Sequence, residues 1–134
     1  MGLVGYFTAE IGLWSELHTY SGGLGVLAGD HVKSAADAEI DLVGVTLLYR
    51  EGYGRQHIDD QGNQTESFGA IDPADHLIDT GLDITLPLDG GTLHAKIWKV
   101  EVVGVTGHIV PVYFMDTNHA KNSDYQQSMG AVSY

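Results

Sequence analysis

Tyr20-Ser21-Gly22-Gly23-Leu24-Gly25-Val26-Leu27-Ala28-Gly29-Asp30-His31 sets three glycines within four residues directly ahead of a segment rich in Ala, Val and Leu. Glycine lacks the Cβ that keeps a ligand from the backbone, and it tolerates φ > 0. Successive N–H groups can therefore turn towards one anion. The stretch 26–38 reads as a helix, and a helix N-terminus attracts anions through its unpaired N–H groups and its dipole. The same glycines equally suit a tight turn that lets the helix pack closely on a sheet. Spacing alone leaves both readings open.

On the N-terminal side, Leu3-Val4-Gly5-Tyr6-Phe7-Thr8 is a short apolar run suited to a buried strand, and residues 10–20 read as loop. The helix closes near Glu39-Ile40-Asp41, and Leu42-Val43-Gly44-Val45-Thr46-Leu47-Leu48-Tyr49 is the next strand. Uninterrupted apolar runs fit a parallel sheet covered on both faces. Strand, loop, helix and strand in succession make a βαβ unit.

The pattern changes after Arg50. Asp59-Asp60-Gln61-Gly62-Asn63 is a turn cluster between Gly54-Arg55-Gln56-His57-Ile58 and Gln64-Thr65-Glu66-Ser67-Phe68, which predicts a hairpin. Ile84-Thr85-Leu86-Pro87-Leu88, the turn Asp89-Gly90-Gly91 and residues 93–102 predict a second. The alternation of Leu93, Ala95 and Ile97 slips by one before Val100 and Val102, so a bulge is expected there. Ile109-Val110-Pro111-Val112-Tyr113-Phe114-Met115 is a further buried run ahead of the turn or cap Asp116-Thr117-Asn118. Pro111 predicts an edge or strand-start position.

Composition narrows the function classes. At 134 residues and 43% hydrophobic content, the chain is one domain or part of one. Six basic against eighteen acidic side chains give a formal charge of -12, which repels nucleic acid and anionic membranes. The absence of cysteine excludes disulfides and thiolate catalysis. No apolar run reaches the length of a membrane span, and Tyr6 stands where a myristoylated N-terminus needs Ser or Thr. A soluble, cytoplasmic protein is the expectation.

The seven histidines show no i, i+4 pair on a helix, so a metal site is not indicated. Asp72, Asp75 and Asp79 around His76 read as a solvated acidic loop. Trp98 and Tyr113 lie in strand-like runs and read as core. Gly23-x-Gly25-x-x-Ala28 can be written as a dinucleotide fingerprint, but the preceding strand ends too early for that motif.

Tyr6-Phe7-Thr8-Ala9-Glu10-Ile11-Gly12-Leu13, followed by Tyr20 to Ala35, resembles the N-terminal region of α-glucan (glycogen and maltodextrin) phosphorylases. The shorter bacterial and archaeal type is the nearer one. Leu42-Val43-Gly44-Val45, Leu48-Tyr49-Arg50-Glu51-Gly52-Tyr53, the spaced Gln56, Gly62-Asn63-Gln64 and Glu66, and Tyr113-Phe114-Met115-Asp116-Thr117-Asn118 fall in that family's order. The resemblance implies an α/β fold: a partial Rossmann-like N-terminal domain of a GT-B fold, with β-hairpin additions. Residues 1–134 would form the N-terminal part of that domain.

The resemblance also implies chemistry. Orthophosphate would cleave terminal α-1,4 bonds of a glucan and release glucose 1-phosphate, so these are the implied small-molecule partners. Pyridoxal phosphate would sit on a lysine of the C-terminal domain; Lys33, Lys96, Lys99 and Lys121 do not match that setting. No catalytic residue is therefore expected in this segment, and the isolated chain is expected to be inactive. Its protein partner would be the remainder of a phosphorylase chain, and homo-oligomers are compatible with the resemblance. In the family the Gly-Gly-Leu-Gly loop lies beside the phosphate, so Gly22, Gly23, Leu24 and Gly25 are carried over as phosphate- or substrate-binding. Glu10 is carried over as a cleft residue. His18 stands where Pro is common, Ile11 where Phe is usual, and an aromatic usual near residues 62–64 is missing. The alternative is a non-catalytic half-domain that holds glucan or an anion without turnover.

Overall fold

A computed structural model of the chain describes residues 2–51, 55–67, 71–88 and 90–130. Gly52, Tyr53, Gly54, Phe68 and Asp89, which figure in the sequence reading, lie outside them. The described strands and helices are β1 (Val4–Phe7), α1 (Gly23–Asp37), β2 (Leu42–Leu47), β3 (Arg55–Ile58), β4 (Gln64–Ser67), α2 (Pro73–His76), β5 (Ile78–Leu88), β6 (Gly91–Val103), β7 (Ile109–Asp116) and α3 (Asp124–Ser128). Five strands form one mixed sheet in the order β1-β2-β7-β6-β5. β1, β2 and β7 run parallel, whereas β6 and β5 are antiparallel additions on the β7 side. β3 and β4 form the separate hairpin expected around Gly62. The fold is α/β, and β1-α1-β2 is the expected βαβ unit. No described helix is long and apolar enough to cross a membrane.

Small residues let α1 lie close to the sheet. Gly25, Ala28, Gly29, Val32, Ala35 and Ala36 form its buried face at helical spacing. Opposite them lie Leu42 and Gly44 of β2, Val110, Val112 and Phe114 of β7, and Trp98, Val100 and Val102 of β6. The registers Gly44↔Val112 and Val112↔Val100 align these residues on one sheet face. The loop 8–22 closes this core by burying Ile11, Leu13 and Leu17. It is irregular as expected, yet packed: Thr19 Oγ1 donates to the Ile11 carbonyl at 2.7 Å.

Cover on both faces was expected, and within the described residues the cover is one-sided. Val43, Val45, Leu47, Tyr113 and Met115 alternate with the buried set and are only half-buried. Leu3, Val4 and Phe7 are exposed along β1, as are Leu24, Val26 and Leu27 on α1. Parallel strands bury both faces only when helices are supplied to both.

Three local expectations need correction. The helix begins at Gly23 rather than near Val26, so the glycine turn is itself the first helical turn. None of its glycines has a positive φ; Gly22 is extended at φ -159°, and the positive values fall at Gly62, Gly81, Gly90 and Gly107. The bulge expected in β6 is accommodated by β5: Asp79 pairs with Trp98 and Leu82 with Ile97, so Thr80 and Gly81 are the extra residues. Ile97 and Trp98 are consecutively buried because β6 changes its buried face there. Finally, Pro111 lies in a central strand. Pairing with β2 starts only at Val112, so the missing N–H falls where the ladder does not need it.

Candidate functional site

The carboxyl ends of β1, β2 and β7 point to the same end of the sheet, where open α/β sheets bind ligands. The segment after β1 carries Glu10 and runs into α1. The segment after β2 carries Tyr49 and Arg50, and the one after β7 carries Asp116 to Asn118. Tyr49 Oη donates to the Ala9 carbonyl at 2.8 Å, joining the first two segments.

Glu10 and the glycine turn come together, though not as neighbours facing an empty cleft. Oε1 of Glu10 accepts the Gly25 N–H at 3.0 Å, while Oε2 accepts the Ser21 N–H at 2.7 Å and its hydroxyl at 3.0 Å. Gly22 at the N-cap has no side chain, so an acceptor from upstream does that work. A carboxylate at this terminus also complements the helix dipole.

The glycines divide into two kinds. A Cβ on Gly25 would overlap Tyr20, and one on Gly29 would overlap the Gly12 carbonyl. These two are glycine because backbone and side chains pack against them; Gly12 N–H donates to the Gly25 carbonyl at 2.8 Å. Gly22 and Gly23 differ: a Cβ at either would meet nothing within 4 Å. Their N–H groups and that of Leu24 find no acceptor among the described residues. The packing reading of the opening motif therefore holds for Gly25 and Gly29, while Gly22 and Gly23 have open space beside them. The half with open space is the half that can approach a ligand.

A second cluster, which the sequence reading did not single out, surrounds Asp116. Its buried carboxylate accepts from Arg50 Nε at 3.2 Å and from Arg50 Nη2 at 2.5 Å, a two-point contact between strand ends. Trp98 Nε1 donates to it at 3.1 Å and the Asn118 N–H at 3.1 Å. Trp98 is core, as expected, with its polar edge satisfied. These groups border a cleft of about 410 Å³ that also includes Asp79, Asp83, Lys96 and His119. Its charges pair internally, Lys96 with Asp79 at 2.8 Å and His119 with Asp83 at 3.3 Å. The Lys121 N–H donates to His119 Nδ1, which leaves Nε2 to donate to Asp83. The available signal was Asp116 closing an apolar strand, with Arg50 closing another.

The acidic stretch near His76 resolves into separate local roles. Asp72 accepts the Ala74 N–H and caps α2, and Asp79 serves the Lys96 pair. Tyr113 is half-buried on the less covered sheet face.

A Schiff-base cofactor needs a lysine free to react, and three of these lysines do not fit that need. Lys33 Nζ donates to the Leu13 carbonyl at 2.7 Å, Lys96 lies over the Trp98 ring and pairs with Asp79, and Lys99 pairs with Glu101. Lys121 sits exposed on the loop after β7. Three of the four lysines are thus held by partners within this chain.

No family model matches the chain. It is 38% identical over 125 residues to the maltodextrin phosphorylase of Thermococcus litoralis, covering 88% of this chain and 14% of that protein. It is 38% identical over 127 residues to the glycogen phosphorylase of Mycobacterium tuberculosis, covering 89% of this chain and again 14% of the relative. The glycogen phosphorylase of Aquifex aeolicus is 29% identical over 136 residues, 19% of its length. The chain thus spans about a seventh of the first two relatives. It is a homologue of the N-terminal region of the glycogen and maltodextrin phosphorylases.

Proposed function

We propose that this chain forms one wall of a glucan phosphorylase active site. It would be a partial Rossmann-like N-terminal domain of a GT-B enzyme that phosphorolyses terminal α-1,4 bonds to give glucose 1-phosphate. The observation that carries the reading is the division among the glycines: Gly22 and Gly23 are open, and among the described residues the Gly23 and Leu24 amides lack acceptors at the start of α1. Such donors bind developing negative charge without reorganising and carry no titratable proton. In this reading Gly22, Gly23 and Leu24 face orthophosphate or the phosphate of glucose 1-phosphate. Gly25 and Glu10 hold the turn in place.

The reaction needs groups this segment does not supply. The cofactor lysine and most sugar contacts would come from the rest of a longer polypeptide, with pyridoxal phosphate bound there. The one-sided cover of the sheet, and Phe7 at 76% exposure on β1, support a fold that receives further protein against it. A homo-oligomer and a cytoplasmic site of action are consistent with this reading.

The test replaces the matching region of the Thermococcus litoralis maltodextrin phosphorylase with this chain. Phosphate-dependent release of glucose 1-phosphate from maltodextrin is expected from the chimera and not from the 134-residue chain alone. A folded chimera that binds maltodextrin or phosphate without turnover would favour the binding half-domain instead.

A further inference from the structure

The hydrogen bonds around Glu10 bracket the turn. Its carboxylate takes Ser21 on one side, through N–H and hydroxyl, and the Gly25 N–H on the other. Gly25 is buried, with the Gly12 N–H on its carbonyl, while Gly22, Gly23 and Leu24 between these anchors are exposed. Two fixed ends leave the intervening backbone little freedom to swing.

We propose that Glu10 is a positioning residue for anion capture by this turn. It occupies the buried Gly25 donor and so holds the Gly23 and Leu24 amides in one fixed presentation towards a phosphate group. The proposal rests on reading the turn as phosphate-facing. It makes a prediction opposite in sign to simple electrostatics. A carboxylate beside an anion site repels the anion, so neutralising it should tighten binding. A positioning role requires the reverse, because the donors lose their alignment when the clamp is lost.

The experiment follows backbone amide resonances of the ¹⁵N-labelled chain during titration with inorganic phosphate, in wild type, Glu10→Gln and Ser21→Ala. A glutamine keeps one acceptor oxygen, but its amide nitrogen cannot accept from Ser21. In the wild type, Gly23 and Leu24 should shift saturably, while Ser21 and Gly25 amide protons sit downfield with or without phosphate. In Glu10→Gln the Ser21 proton should move upfield because its acceptor is lost, and the Gly25 proton because a neutral amide oxygen accepts more weakly than a carboxylate; phosphate affinity should fall about tenfold. Unchanged Val100 and Val112 resonances in the sheet report an intact fold. Ser21→Ala removes only part of the clamp, should weaken binding less, and carries the comparison if Glu10→Gln unfolds. Equal or tighter phosphate binding by folded Glu10→Gln, or unmoved Ser21 and Gly25 protons, would overturn the clamp alone. A wild type whose Gly23 and Leu24 ignore phosphate would defeat the phosphate reading, and the positioning role with it.

Discussion

Asp116 at the end of β7 and Arg50 just past β2 are joined by two hydrogen bonds across 66 residues of sequence. The pair ties the carboxyl ends of two neighbouring parallel strands, and Trp98 of β6 and the Asn118 N–H also donate to the carboxylate. Asp116→Ala would leave Arg50 and the Trp98 N–H without their acceptor. Arg50 is 31% exposed and can turn to water, whereas leaving the buried Trp98 N–H unpaired costs about 1–3 kcal/mol. Chemical denaturation should show that loss for Asp116→Ala.

Gly29 meets the Gly12 carbonyl where α1 crosses the loop 8–22, and Gly104 meets the Ala36 carbonyl near the other end of the same helix. A methyl at either position displaces backbone rather than a flexible side chain. Gly29→Ala and Gly104→Ala should each cost about 1–3 kcal/mol through overpacking, read as an earlier thermal midpoint.

The hydrogen bond from Lys96 holds the Asp79 carboxyl below its ordinary pKa of 3.8, with the Gly81 N–H adding to it. A lowered folded-state pKa stabilises the fold fully above the ordinary value. That contribution disappears as pH falls from there through the lowered one. Lys96→Met should bring Asp79 back up towards 3.8, measured by carboxyl ¹³C titration. The same variant should shed less stability than the wild type on acidification through that window.

Phe7 is 76% exposed on β1, which among the described residues is an edge strand with one unpaired side. Unpaired edges with apolar side chains bind dye and pair with other chains. Phe7→Ser should reduce dye binding and concentration-dependent association, seen by light scattering, while leaving the thermal midpoint nearly unchanged.

The βαβ unit and both hairpins were legible because each rests on a local signal: apolar runs for β1 and β2, and Gly62 and Gly90 at turns. What sequence could not supply was longer in range. Glu10 is 15 residues from the Gly25 amide it satisfies, and Arg50 is 66 from Asp116; neither distance leaves a periodicity to read. Pro111 misled because a local rule about strands says nothing of where a neighbouring ladder begins. The glycine turn looked uniform in sequence, yet Gly23 and Gly25 differ entirely in what surrounds them. Only packing separates them.

Gly23→Ala therefore tests the phosphate reading most directly, in the chimera with the Thermococcus litoralis enzyme. The added methyl meets nothing within 4 Å among the described residues and needs no left-handed backbone, so folding should be almost untouched. If the turn presents its amides to phosphate, turnover should fall about a hundredfold and phosphate affinity should drop, at an unchanged thermal midpoint. Full turnover and unaltered phosphate affinity in a folded Gly23→Ala chimera would contradict the assignment of this turn to the phosphate.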